Sequence, residues 1–365
     1  MVLPFTDLVR ALPESVPFVG PETHERQRGA PFKARIGANE SVFGPSPAAV
    51  AAMSAAAAEA WKYCDSENYE LKQALAHHHG IQPENLVIGE GIDGLLGLVV
   101  RLFVEQGDAV ITSEGAYPTF NYHVVGFGGD LKKVPYRDDH EDPDALIATA
   151  QAHKAKLIYI ANPDNPMGTA HDADVIARMI AATPENTVLC LDEAYFEFAD
   201  ADVAPPMDTS IENLIRFRTF SKAYGMAGAR IGYAITNPVL ARAFDKVRNH
   251  FGVNKIAQAG ALAALQDQSY LKDVQKKVIN ARNRIGEIAA NNGLSVLPSQ
   301  TNFVTIDCGR DGDYARRVLS LLVERGIFVR MPGVAPLDRC IRVSAGTDQD
   351  LDAFAAALPD ALREA

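Results

Sequence analysis

Short apolar runs separated by helical periodicity constrain this chain more than any other feature. NLVIG, DAVIT, KLIYIA, TVLCLD and IRFRTF follow one another, with amphipathic segments and short turns between them, through roughly the first 240 residues. Strands joined through helices return to the same edge of a sheet, so each runs parallel to the last. The pattern predicts an α/β fold with a large, mostly parallel sheet covered by helices on both faces. After Asn254 the pattern changes. Two longer helices over about 255–292 precede short strands at TNFVTID, GIFVR and CIRVSAG and a terminal helix DLDAFAAALPDALRE, which together predict a smaller α+β lobe. Nearer the N-terminus, PSPAAVAAMSAAAAEAW is an alanine-rich helix opened by prolines, whose closing Trp61 is expected to pack inward. ENYELKQALAHHHG is a helix closed by a glycine cap. Its three consecutive histidines point in different directions and cannot converge on one metal, so they are expected to face the negative end of the helix dipole.

Ligands of open α/β sheets bind beyond the carboxyl ends of the strands, so the residues there are the ones to examine. One strand runs into Gly89, Gly91 and Asp93, a second into Asn162 and Asn165, a third into Asp192 and Tyr195, and a fourth into Ser221 and Lys222. Four such ends predict one shared crevice. GEGID is either a tight turn with Asp93 as a helix cap or an anion cradle at a helix N-terminus. It lacks the Gly-Lys-Ser/Thr of a Walker loop and the spacing of a dinucleotide fingerprint. Asp192, after an apolar run, either caps the next helix or partners a buried cation such as a protonated ring nitrogen. Asn165 either sets a proline turn or donates its amide to a phenolate-like oxygen that Tyr195 could also reach. Lys222 in such a crevice suits attack on a carbonyl as a neutral amine, forming a Schiff base. Pyridoxal phosphate needs all these parts together: an aldehyde for the lysine, a phosphate for the cradle, and a ring nitrogen for the carboxylate. Ser221 and Arg230 would complete the phosphate site, the arginine through charge-assisted bonds.

Composition narrows the partners. With 46 acidic against 35 basic side chains the formal net charge is −11, which argues against nucleic acid or an anionic membrane as partner and for small molecules. Cys64, Cys190, Cys308 and Cys340 lie far apart without metal-ligand spacing, and are expected to be buried thiols in a reducing compartment. The N-terminus lacks the pattern of a secretory signal and no apolar run reaches membrane-spanning length, so a cytoplasmic protein is expected.

The ordered set IGANESVFGPSP, VIGEGID, AYPTF, NPDNPMG, LDEAYFEF, RTFSKAYGMAGARIGYAI, PSQTNFV, GIFVR and CIRVSAGT spans nearly the whole chain. It resembles the fold-type-I pyridoxal-phosphate aminotransferases, in particular their histidinol-phosphate aminotransferase branch. The resemblance implies an N-terminal arm belonging partly to the small domain over 1–44, a large cofactor-binding domain over 45–250, and a small domain over 251–365. It implies that Lys222 holds the internal aldimine and, once displaced, carries the proton between Cα and C4′. Asp192 would keep the pyridine nitrogen protonated, Asn165 and Tyr195 would bond the ring hydroxyl, and Tyr117 would stack on the ring. Gly91, Ile92, Asp93, Thr219, Ser221 and Arg230 would hold the cofactor phosphate. Tyr63 would reach the cofactor phosphate of a partner subunit, which requires a homodimer with shared active sites. Asn39, Arg330 and Arg342 would bind substrate, Arg342 through the α-carboxylate and Arg330 through a substrate phosphate.

The implied reaction moves an amino group from an amino donor to a 2-oxo acid, with L-histidinol phosphate and 2-oxoglutarate as the implied pair. An aromatic or other amino acid is the alternative donor; a pyridoxal-phosphate decarboxylase or lyase, or a ligand-sensing protein, are the rival classes. The chain departs from the family pattern at NESV (39–42), at Asp93-Gly94 and at NHFGVN (249–254). Glu25 resembles a residue of the N-terminal segment that closes over the pocket in the family.

Overall fold

The structure is a computed structural model that describes residues 3–14 and 19–365. Its strands are β1 (Ala34–Arg35), β2 (Leu86–Gly89), β3 (Ala109–Ser113), β4 (Asp130–Val134), β5 (Leu157–Ala161), β6 (Val188–Asp192), β7 (Leu214–Thr219), β8 (Gly232–Thr236), β9 (Ser295–Val296), β10 (Phe303–Asp307), β11 (Ile327–Phe328) and β12 (Cys340–Ser344). Seven of them form one sheet in the order β2-β8-β7-β6-β5-β3-β4. The pairs from β4 to β7 are all parallel, whereas β8 is antiparallel to both β7 and β2. The exception follows from the connection. Residues 220–231 contain only one short turn of helix, Ala227–Ala229, so the chain reverses instead of crossing over.

The central strands are buried on both faces, so β5 and most of β6 read as apolar runs, whereas β7 buries Arg216 and Arg218 by pairing them with Glu193. Their side chains still alternate. Leu157 and Tyr159 of β5 and Val188 and Cys190 of β6 join the core under the helices Gly91–Phe103 and Pro118–Gly126, with Leu95, Val99 and Phe120. Ile158, Ile160, Leu189 and Leu191 point the other way, against Leu146, Ala150, Ile176 and Met179 of the helices Pro143–His153 and Ala173–Ala182.

A second sheet, β12-β10-β9, is antiparallel and packs with the helices Gln268–Asn291, Gly312–Glu324 and Asp348–Glu364. The N-terminal strand β1 pairs in parallel with β11, so residues near the start of the chain are fastened to the last third of it. One buried cluster runs from Val278, Phe303 and Phe354 through Ile36 to Leu75, Phe220 and Tyr233, so the small sheet, the N-terminal segment and Phe220 just past β7 share one core.

Two expectations are corrected. The alanine-rich helix stops at Ala57, and Trp61 beyond it is 79% exposed rather than packed. The Tyr69–His79 helix does end on a left-handed Gly80, but His79 turns inward and its Nε2 lies 2.9 Å from the Tyr233 hydroxyl. Burial, with Arg218 nearby, pushes its pKa down to about 3, so it is neutral and cannot act as a cationic dipole partner. Among the described residues no helix is long and apolar enough to cross a membrane.

Gly225 closes the turn after Lys222 with φ +69°, and a Cβ there would overlap the backbone of Gly44. Gly225→Ala should therefore cost about 2 kcal/mol or more and lower the thermal midpoint. Gly228→Ala, whose Cβ would meet nothing within 4 Å, should leave the midpoint nearly unchanged in the same melt.

Candidate active site

The carboxyl ends of β3, β5, β6 and β7 open into a cavity of about 830 Å³, closed from the other side by residues 38–40, 330–334 and Arg342. Ile92, Asp93, Tyr117, Asn165, Asp192, Tyr195, Thr219, Ser221, Lys222, Arg230, Asn39, Arg330 and Arg342 all line it. The shared crevice expected from the strand ends is present.

At one end the helix Gly91–Phe103 points its first amides at the cavity. Gly91 has φ +78°, and a Cβ on it would lie 2.5 Å from Arg230 Nη2, so only glycine lets the arginine cross the turn. Arg230 Nη1 donates to Ser221 Oγ (3.4 Å) and to the Ala227 carbonyl (3.0 Å), and its Nη2 lies 3.7 Å from Asp93 Oδ2. The Thr219 hydroxyl accepts from the Ser221 N–H at 3.0 Å, which holds the turn. Asp93 is not the helix cap, because Glu90 occupies that position. Instead it accepts the Tyr117 hydroxyl at 2.7 Å, and burial together with this carboxylate drives the tyrosine well above its ordinary pKa.

Deeper in, Asp192 is 5% exposed at the end of β6. Its Oδ2 accepts from the Tyr159 hydroxyl (2.8 Å) and its Oδ1 from the Ala194 N–H (2.9 Å). Burial outweighs both bonds and raises its pKa to about 6. The contrast with the next residue is instructive. Burial acts to raise Glu193 too, but on the opposite face Arg218 and Arg216 outweigh it and hold that carboxylate low, at 3.0 and 2.5 Å. Asp192 has no such cation among the described residues.

Lys222 Nζ donates to the Asn39 carbonyl at 3.2 Å and stands 5.6 Å from the centre of the Tyr195 ring. The Tyr195 hydroxyl accepts from Asn39 Nδ2 at 2.9 Å. Asn165 accepts from Arg342 Nη1 through Oδ1, which leaves its NH₂ as a donor. Arg342 also donates to the Gly37 carbonyl (3.3 Å) and lies 5.1 Å over the Phe303 ring, while its Nε is buried without a partner. Burial pushes its pKa down to about 10. Arg330 and Arg342 form a β-bridge, with backbone bonds of 3.2 and 2.6 Å, and both side chains line the cavity. Like charges opposite one another in such a pair repel, and a bound anion would relieve the repulsion.

Gly91 does not itself line the cavity, and neither do Tyr63, expected to serve a partner subunit, or Glu25. Tyr63 is 80% exposed and packs on Phe251, with ring centres 4.7 Å apart. Glu25 binds the Phe32 N–H at 2.8 Å and pairs with Arg35. What the N-terminal segment offers the site is the Val19 carbonyl, which accepts from Arg330 Nη1 at 3.1 Å. Sequence reasoning missed Tyr159, Asn302, Ser344 and Lys133. Tyr159 carried a signal, as the one hydroxyl inside a fully buried strand. Lys133 had none until β4 was paired beside β3.

The sequence model of the aminotransferase class I and II family matches residues 33–358. The chain belongs to that family. It is 31% identical over 345 residues to the histidinol-phosphate aminotransferase of Moorella thermoacetica, covering 93% of this chain and 88% of that protein. It is 35% identical over 334 residues to histidinol-phosphate aminotransferase 2 of Ralstonia nicotianae, covering 91% and 89%. The crystal structure of the Sinorhizobium meliloti histidinol-phosphate aminotransferase in complex with pyridoxal-5'-phosphate is 55% identical and superposes with a TM-score of 0.96 over 100% of this chain and 99% of that one.

The residues present fit such a cofactor. Asp192 is a buried carboxylate without a cation among the described residues, Gly91 and Arg230 form a cradle that a side chain would fill, and Lys222 lines the same cavity.

In the cofactor-free protein the folded state keeps the Asp192 proton up to about pH 6, whereas an unfolded aspartate releases it near its ordinary 3.8. Stability is thus lost as pH rises from about 4 to about 6. Cofactor-free Asp192→Asn should be more stable than the unsubstituted protein above pH 6, by up to about 3 kcal/mol, and the advantage should vanish below about pH 4. Thermal melts across that range check this, and the same variant should lose most of its turnover.

Proposed function

We propose that this pyridoxal-phosphate-dependent aminotransferase takes its amino group from L-histidinol phosphate and delivers it to 2-oxoglutarate. The observation that carries the choice of donor is the bridged pair Arg330 and Arg342. An α-amino acid presents one negative charge at Cα, which a single guanidinium matches. Histidinol phosphate carries, in place of that carboxylate, a phosphate monoester linked through one CH₂ group, with close to two charges, and two guanidiniums on paired positions match it. The same two cations suit the carboxylates of 2-oxoglutarate. The names of the Moorella, Ralstonia and Sinorhizobium relatives support the same donor.

Bound pyridoxal phosphate supplies an electron sink for the charge left when Cα loses its proton. With the group bound, Lys222 Nζ would hold and release the proton that Cα loses. Asp192 would face the ring nitrogen as its carboxylate partner, Asn165 and Tyr195 would supply donors to the ring oxygen, and Tyr117, tied to Asp93, would lie against the ring. Gly91, Ile92, Asp93, Thr219, Ser221 and Arg230 form the phosphate end. We assign 45–250 to the large domain and 1–44 with 251–365 to the arm and small domain.

We also propose a homodimer. Trp61, Tyr63, Tyr69 and Phe251 are 79%, 80%, 60% and 52% exposed, an aromatic concentration that suits burial against a second copy. Tyr63 would then serve the partner's cofactor. Four free thiols, three of them buried, support a cytoplasmic setting.

Spectral half-reactions test the donor. Histidinol phosphate should convert the cofactor band of the purified protein, and Lys222→Ala should not support turnover. Arg330→Gln should weaken histidinol phosphate by about 10-fold or more, the size of a lost charged hydrogen bond, and phenylalanine by less than about 3-fold. Equal effects on both donors would overturn the assignment of the phosphate to Arg330.

A further inference from the structure

Asn39 was expected among the substrate ligands, but its polar groups are occupied by the protein. It is 2% exposed and takes a left-handed conformation at φ +56°. Its backbone N–H donates to Ser344 Oγ (3.0 Å), and Ser344 Oγ donates its only proton back to Asn39 Oδ1 (2.9 Å). This exchange places the amide oxygen toward Ser344 and the NH₂ toward Tyr195, whose hydroxyl accepts from Nδ2 at 2.9 Å. A tyrosine hydroxyl that accepts on one side has its proton available for another acceptor. The Asn39 carbonyl meanwhile accepts from Lys222 Nζ (3.2 Å) and Asn302 Nδ2 (3.1 Å).

We propose that Asn39 is a positioning residue: with Ser344 it fixes the Tyr195 hydroxyl as a donor into the cavity and holds the Lys222 amine beside it. Ser344 lies two residues beyond Arg342 on β12. The strand that carries the anion-binding arginine therefore also supports the groups that handle the proton. Asn39 lines the cavity, but its side-chain amide is engaged by Ser344 and Tyr195. The inference rests on the cavity being a pyridoxal-phosphate site, where the acceptor for Tyr195 is the anionic ring oxygen.

Asn39→Asp keeps the shape, and aspartate tolerates the left-handed backbone, but a carboxylate only accepts. Tyr195 must then donate to residue 39, and the ring oxygen loses that donor. Lys222, Arg342 and Tyr117 are the titratable groups that face Tyr195. A new negative charge beside Lys222 and the loss of a donor to the ring oxygen both favour the protonated form of the loaded chromophore. The midpoint of the pH titration of its visible band should move upward by about one pH unit or more. Ser344→Ala, which releases the amide without adding charge, should move it the same way by less. Tyr195→Phe should raise the midpoint in the unsubstituted protein and add little in the Asn39→Asp background, because the same bond is already gone.

If both Asn39→Asp and Ser344→Ala bind cofactor and titrate as the unsubstituted protein does, or if Tyr195→Phe shifts the midpoint fully in both backgrounds, the inference is overturned. Absence of any visible band in the unsubstituted protein with cofactor would instead overturn the reading on which it rests.

Discussion

A carboxylate buried without a cation organises this molecule. Asp192 ends the central strand β6, and no cation among the described residues pairs with it. Its neighbour Glu193, one residue on and therefore on the other face of the sheet, is held by Arg216 and Arg218. The period of two along a strand thus separates two carboxylates adjacent in sequence into different chemistry. One is a structural ion pair that ties β6 to β7. The other is a charge kept in a low-dielectric wall for a cation from outside. The Tyr159 hydroxyl and the Ala194 amide orient it without neutralising it.

The rest of the cavity has the opposite bias. Lys133, Lys222, Arg230, Arg330 and Arg342 line it against Glu40, Asp93 and Asp192, in a chain whose net charge is −11. The positive field is therefore local, and its physical effect is to gather anions where low-dielectric walls focus it. At the phosphate end, Arg230, the helix start and Asp93 are mutually restrained. At the other end, Arg330 and Arg342 are bridged side by side, and the Nε of Arg342 is buried without a hydrogen-bond partner, so an anion there would ease the repulsion between them.

Much of the site was legible because parallel sheets place ligand-binding residues at strand ends. Asp192, Asn165, Ser221 and Lys222 could be located from apolar runs alone, and Gly91 from the glycine turn before a helix. Other residues were not legible in the same way. Asn39 reads as a polar residue in a loop, and only the structure shows its left-handed backbone and its amide held between Ser344 and Tyr195 at the cavity wall. Trp61 and His79 were misread because helix periodicity assigns a face but cannot decide where the helix stops or whether its end is buried.

The sequence by itself determined the fold class, the mostly parallel sense of the large sheet and the identity of the chemical groups at its strand ends, because burial on two faces, helix starts and glycine turns are local consequences of residue type and spacing. Only the tertiary structure decided that Asn39 and the 330–342 segment close the cavity from the other side, that Asp192 lacks a cation while Glu193 has two, and that Arg330 and Arg342 stand side by side. These are relations between segments far apart in the chain. They depend on pairings such as β1 with β11 and on one buried cluster that joins β12 residues to Phe220, which no local pattern encodes.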